Sequence, residues 1–96
     1  MPLSTKIVLH SPVGDPARLE AFVERCLADG VRLIAVVGEG APAVEDLIDE
    51  IIVGDGTDRS RFILTTSHAG MSVADVLDLV SRWDIGGAAD VEQVQL

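Results

Sequence analysis

The stretch Val31–Ile52, "VRLIAVVGEGAPAVEDLIDEII", decides the fold. Its first seven residues, Val31–Val37, are almost unbroken apolar side chains. A run of that length is what a strand buried on both faces needs, and such strands belong to parallel sheets covered by helices. The turn "GEGAP" follows. Pro42 then opens a helix, because the N–H it lacks would be unpaired in the first turn anyway. Val44, Leu47, Ile48, Ile51 and Ile52 recur at helical spacing, while Glu45, Asp46, Asp49 and Glu50 face outward. Strand, tight turn and amphipathic helix together are one step of a β-α-β chain.

The same alternation extends in both directions. Upstream, "TKIVLH" (Thr5–His10) reads as a short apolar strand. A helix follows, with Asp15 as N-cap, Pro16 in its first turn and Gly30 in the left-handed position after it. Leu19, Phe22, Val23, Cys26 and Leu27 make its apolar stripe. Downstream, "VGDGTDRS" (Val53–Ser60) is a turn-rich loop and "RFILTT" (Arg61–Thr66) a third strand. Ser72-Val73-Ala74-Asp75 fits a capping box with Asp as its acid, and Met71 and Val76 are spaced as a hydrophobic staple. Val73, Val76, Leu77, Val80 and Trp83 form the third buried stripe, with Trp83 a core or rim plug. "DIGGAAD" (Asp84–Asp90) ends that helix, and "VEQVQL" (Val91–Leu96) reads as a fourth, edge strand. The order β-α-β-α-β-α-β predicts a single α/β domain over residues 1–96. It is a three-layer sandwich on a mostly parallel four-stranded sheet with right-handed crossovers. A flavodoxin- or Rossmann-like strand order 2-1-3-4 with helices on both faces is favoured. Order 1-2-3 with helices on one face is the alternative.

Composition narrows the function. The 96 residues are 48% hydrophobic but contain only three aromatic side chains, Phe22, Phe62 and Trp83, so the core is built from Val, Ile, Leu and Ala. Sixteen acids against seven bases give a formal charge of -9. That balance argues against nucleic acid, whose phosphates need clustered Lys and Arg, and against anionic membrane surfaces. It leaves an unknown protein or a small ligand as partner. The single cysteine, Cys26, can form no intramolecular disulfide and sits on an apolar stripe as an inert thiol. The absence of a membrane-length apolar run or a signal-peptide pattern points to a cytoplasmic protein.

Ligands of an open parallel sheet bind beyond the carboxyl ends of its strands. The loops there are "HSPVGD", "GEGAP" and "TTSHAGMS", and the chain's two histidines, His10 and His68, fall on the first and third. In order 2-1-3-4 those strands are neighbours, so His10, Ser11, Glu39, Ser67 and His68 would line one crevice. Two imidazoles with Glu39 or Asp15 could hold a divalent metal. His68 could act as a general base beside Ser67 or Ser11. Free helix N–H groups could bind an anion, with His68 as a switchable cation. Against these, polar residues at strand ends more often end a strand or cap a turn than bind anything. Thr65 and Thr66 read first as strand residues, one of them turned inward with its hydroxyl bonded to backbone.

Other motifs read as structure. Gly38-Glu39-Gly40-Ala41-Pro42-Ala43 matches the relaxed dinucleotide pattern G-x-G-x-x-A. It follows the second strand, however, and the third strand ends without a ribose-binding acid. "GDGTD" (Gly54–Asp58) fails as a calcium loop, because the ligand positions fall on Ile51, Val53 and Phe62. No strand ends in the aspartate that a phosphate receiver needs.

"RFILTTSHAGMSVADVLDLVSRW" resembles a motif of a family of small bacterial α/β proteins classed as a domain of unknown function. In that family a strand ends in Thr-Thr-x-His, often with Trp as x, before a short acidic loop and a helix. "GVRLIAVVGEGAPAVEDLIDEII" is similar to its second strand, turn and acidic helix, and "VEQVQL" to its last strand. Ser67 stands where Trp is common. The resemblance implies a role for His68 and for Thr65 and Thr66 as a motif, and implies no activity. The leading expectation is a small non-enzymatic binding or regulatory module that works through its carboxyl-end rim and calls for no cofactor. A metal-dependent or His-assisted hydrolase at that rim and a homodimeric structural protein are the alternatives.

Overall fold

The computed structural model describes residues 3–58, 60–83 and 90–96. Strands and helices alternate as β1 (Lys6–Ser11), α1 (Pro16–Asp29), β2 (Leu33–Gly38), α2 (Ala41–Val53), β3 (Leu64–His68), α3 (Val73–Arg82) and β4 (Val91–Gln95). All strand pairs are parallel, in the order β3-β2-β1-β4. This is the expected α/β sandwich, with a strand order that differs from the favoured 2-1-3-4. Side-chain character explains the difference. Leu33–Val37 of β2 and Lys6–Leu9 of β1 are buried throughout, whereas every residue of β3 and β4 is half-buried or exposed. Apolar strands take the centre and polar ones the edges. An order of 2-1-3-4 would place β2 at an edge and "TTSH" in the middle.

The crossovers then fix the layers. From β1 through β2 to β3 the chain steps one way, with α1 and α2 on one face. The connection from β3 to β4 returns past both central strands, so a right-handed path puts α3 on the other face. Ile7, Leu9, Ile34 and Val36 accordingly pack with Leu19, Phe22, Val23 and Ile48, while Val8, Leu33, Ala35 and Val37 pack with Val76 and Val80. Trp83 packs at the border of this second cluster.

The local signals act as their chemistry suggests. Asp15 Oδ1 accepts from the Ala17 N–H at 2.9 Å, and Ser72 Oγ accepts from the Asp75 N–H at 3.1 Å. Asp55 and Asp58 close the turns of the 53–60 loop by accepting from Thr57 and Ser60, which hold both carboxyls below their ordinary range. The "DIGGAAD" helix stop falls, except for Asp90, outside the described residues. The third strand starts at Leu64, three residues later than its apolar pattern suggests. Arg61 is the cause. Its guanidinium donates to the Ile51 and Ile52 carbonyls at the end of α2, each at 3.0 Å, and bidentately to Glu24 on α1. The chain is thereby pinned beneath the helices before it joins the sheet, and Phe62 is left 72% exposed.

The Arg61 hydrogen bonds hold the Glu24 carboxyl below the usual glutamate range, against a smaller opposing effect of burial. A depressed acid stabilises the fold fully above its unfolded pKa, and that contribution disappears as pH falls through the folded value. The gap in stability between wild type and Glu24→Gln is therefore expected to be small and constant at neutral pH. It should begin to narrow as pH drops below about 4.3 and close once pH has passed through the lower folded value. Urea titrations at pH 7 and at successive pH values below about 4 measure this, and a gap that does not narrow with falling pH would contradict it.

Candidate functional site

Parallel strands in register present paired residues on the same face, and neighbours along a strand on opposite faces. His10 pairs with Val37, and Val37 pairs with His68. Both histidines therefore lie in one row on the α3 face, with the buried Val37 between them. Because β2 separates their strands, their backbones stand two strand spacings apart, roughly 10 Å. The crevice expected from adjacent first and third strands is replaced by this wider row.

Each imidazole has its own partner. His10 Nε2 lies 3.0 Å from Gln93 Oε1 on β4, and His68 Nε2 lies 2.9 Å from Thr66 Oγ1, two residues earlier on β3. The serines are on the other side. Ser67 pairs with Val36 and shares its face toward α1 and α2, and Ser11 Oγ donates to the Glu39 carbonyl. Strand alternation thus turns Ser67 away from His68 and Ser11 away from His10, which leaves neither serine placed as a nucleophile for the adjacent histidine. Among the described residues no three His, Cys, Asp or Glu side chains gather as a metal set. The Glu39 side chain is exposed.

Ser11 and Glu39 have a shared structural task. Gly38 has φ +109°, and a Cβ there would stand 2.5 Å from the Ser11 carbonyl oxygen. The turn after β2 thus presses against the end of β1, where the Ser11–Pro12 peptide is cis. The G-x-G spacing serves this approach. Gly40 is the N-cap residue of α2, with no side-chain cap.

Strand order also relocates the point where a ligand is expected. Crossovers leave β1 toward β2 and arrive at β4 from the opposite direction, so the reversal lies between β1 and β4. Crevices at such reversals are the usual ligand positions of open α/β sheets. His10 and Gln93 bridge this line, with Gln95 paired beside His10. Gln93 was missed by sequence reasoning, since its importance depends on β4 lying next to β1. The alternation Val91, Gln93, Gln95 was the available signal. Thr65 bonds side chains and not backbone: its hydroxyl meets the Glu45 and Asp49 carboxylates on α2.

Cys26 is fully buried, and desolvation pushes its thiol up to about 12, so it is an unreactive core residue. No helix among the described residues is long and apolar enough to cross a membrane.

No curated protein and no solved structure matches the chain. A family model described as a domain of unknown function (DUF7684) matches residues 1–91, from before β1 through α3 to the first residue of β4. The Thr-Thr-x-His strand, the glycine turn and the acidic second helix thus sit within one family pattern, and the chain belongs to the DUF7684 family.

Proposed function

We propose that the protein is a small non-enzymatic binding module whose working surface is the carboxyl-end rim of the sheet. The surface centres on His10 at the β1/β4 reversal. Ser11 and Glu39 shape the adjoining turn, His68 extends the rim across β2, and Ser67 marks the same strand end from the opposite face. One observation carries this reading: the His10–Gln93 side-chain bridge spans the reversal, on a face that α3 covers only in part. The bridge offers a donor and an acceptor to an incoming group, which suits a small polar ligand or a polar protein loop. The acidic surface and the single buried thiol fit a reducing, cytoplasmic setting.

Amide NMR screening with a library of small polar fragments tests the proposal. Binders should shift the amides of His10, Ser11 and Gln93, and Gln93→Ala should weaken them about fivefold or more, the loss of one directed hydrogen bond. Binders that map elsewhere would refute the rim as the working surface. Turnover abolished by His10→Ala would refute the non-enzymatic reading.

A further inference from the structure

The opposite end of the molecule holds a second surface that the rim does not explain. At the amino ends of β2 and β3 a cleft of about 510 Å³ opens between the end of α1 and the segment entering β3. That volume is within the roughly 300–1,000 Å³ of small-molecule sites. Leu27, Val31 and Leu64 give it apolar walls, Ser60 and Phe62 form the outer side, and Arg32 supplies its only described charge.

Three features set it apart from ordinary surface. Phe62 is 72% exposed, the most exposed large apolar side chain in the described chain, in a protein with only three aromatic residues. Arg32 is fixed at its backbone, whose N–H donates to the Thr5 carbonyl at 2.8 Å while its carbonyl accepts from the Leu64 N–H at 3.0 Å. Among the described residues its guanidinium has no hydrogen bond or ion pair. The described lining also contains no carboxylate, although the chain carries sixteen acids. A cation that lines a largely apolar cleft, with no acid among the described lining residues of a protein of charge -9, complements one kind of ligand.

The geometry points to a binding site for a small amphipathic carboxylate. Its apolar body packs between Phe62 and the Leu27–Val31–Leu64 wall, and its carboxylate pairs with Arg32. Arginine suits the task because its planar fork matches a carboxylate bidentately. Phe62 contributes contact area at little cost in conformational freedom.

The test uses 4-phenylbutyrate as probe, with 4-phenylbutanamide as its neutral counterpart, followed by amide NMR on the whole chain. Saturable shifts are expected at Val31, Arg32 and Phe62, with the acid bound about five- to tenfold more tightly than the amide. Arg32→Gln should abolish that preference and leave amide binding intact. Phe62→Ala should weaken both ligands. Both side chains are exposed, so the variants should keep wild-type circular dichroism. Equal affinity for acid and amide, absence of saturation, or shifts confined to the His10 rim would overturn the inference. A dimer in sedimentation that Phe62→Ala dissociates would overturn it as well, since a second copy would then occupy the cleft.

Discussion

Replacing Gly38 with alanine is expected to destabilise the protein by about 3 kcal/mol, from backbone strain and overpacking together. For a domain of this size that is a fall in melting temperature of roughly 12–24 °C. Two effects add. At φ +109° any residue with a side chain is strained. The new Cβ would also lie 2.5 Å from the Ser11 carbonyl oxygen, with the Ser11 carbonyl carbon at 3.4 Å and its nitrogen at 3.5 Å. These are backbone atoms of a central strand, and no rotamer change can move them aside. Gly30→Ala is the control. Gly30 has φ +80° but nothing within 4 Å of its Cβ position, so it isolates the conformational penalty of about 1 kcal/mol. Urea denaturation of both variants decides the matter. Equal losses would mean that the close approach of β1 and the turn after β2 does not constrain the fold. The Ser11–Glu39 bond crosses the same contact, so Gly38→Ala should also shift the His10 imidazole signals.

How far the sequence reveals this fold depends on which interactions are local. Helix starts were legible because their causes lie within four residues: Asp15 with Ala17, and Ser72 with Asp75. The β-α alternation was legible from Val31–Val37 and the stripe that follows. Strand order was legible in principle. The uninterrupted apolar residues of β2 require a neighbour on each side and a helix layer on each face, and the polar residues of "TTSH" can be afforded only at an edge. Weighing each strand's polarity against its place in the sheet leads to β1 and β2 at the centre. What local pattern could not reveal was long-range. Arg61 delays the start of β3 by reaching α2 and α1, and thereby exposes Phe62. At the rim, the sequence identified His10 and His68 but not their separation, because their distance is set by whichever strand lies between them. Gln93 gains a partner only through the β1/β4 pairing.

Lys6 is the residue whose role is furthest from its appearance in sequence. Lysines are almost never fully buried unless paired, yet this one is 1% exposed. Its Nζ donates to the Val80 carbonyl at 3.0 Å and approaches the Ser81 carbonyl at 3.4 Å, both in the last turn of α3. Carbonyls there lack i+4 helical partners, and the helix dipole places partial negative charge on them, so a buried ammonium ion answers both demands at once. The pairing matters because α3 has only ten residues, a length that does not hold as a helix in water without its tertiary contacts. Lys6→Met keeps the apolar stem and removes the charge. Loss of a charged hydrogen bond costs about 1.5–3 kcal/mol, and relief from burying an ammonium offsets part of it. The Trp83 N–H still reaches the Val80 carbonyl at 3.1 Å, which softens the loss further. The expected net cost is about 1–2 kcal/mol. Hydrogen exchange distinguishes this from a general loss of packing: protection should fall first in α3, while the β1 and β2 amides keep theirs until global unfolding. Lys6→Arg should not restore stability, since a guanidinium is too large for a site closed to solvent. A Lys6→Met variant as stable as wild type, with unchanged exchange in α3, would show that the ammonium does not anchor the helix. If the anchor holds, the only described helix on that face is fastened at its carboxyl end by β1, the strand that carries His10. Loosening Lys6 should then alter the rim at the far end of the same strand, which the His10 imidazole signals of Lys6→Met would report.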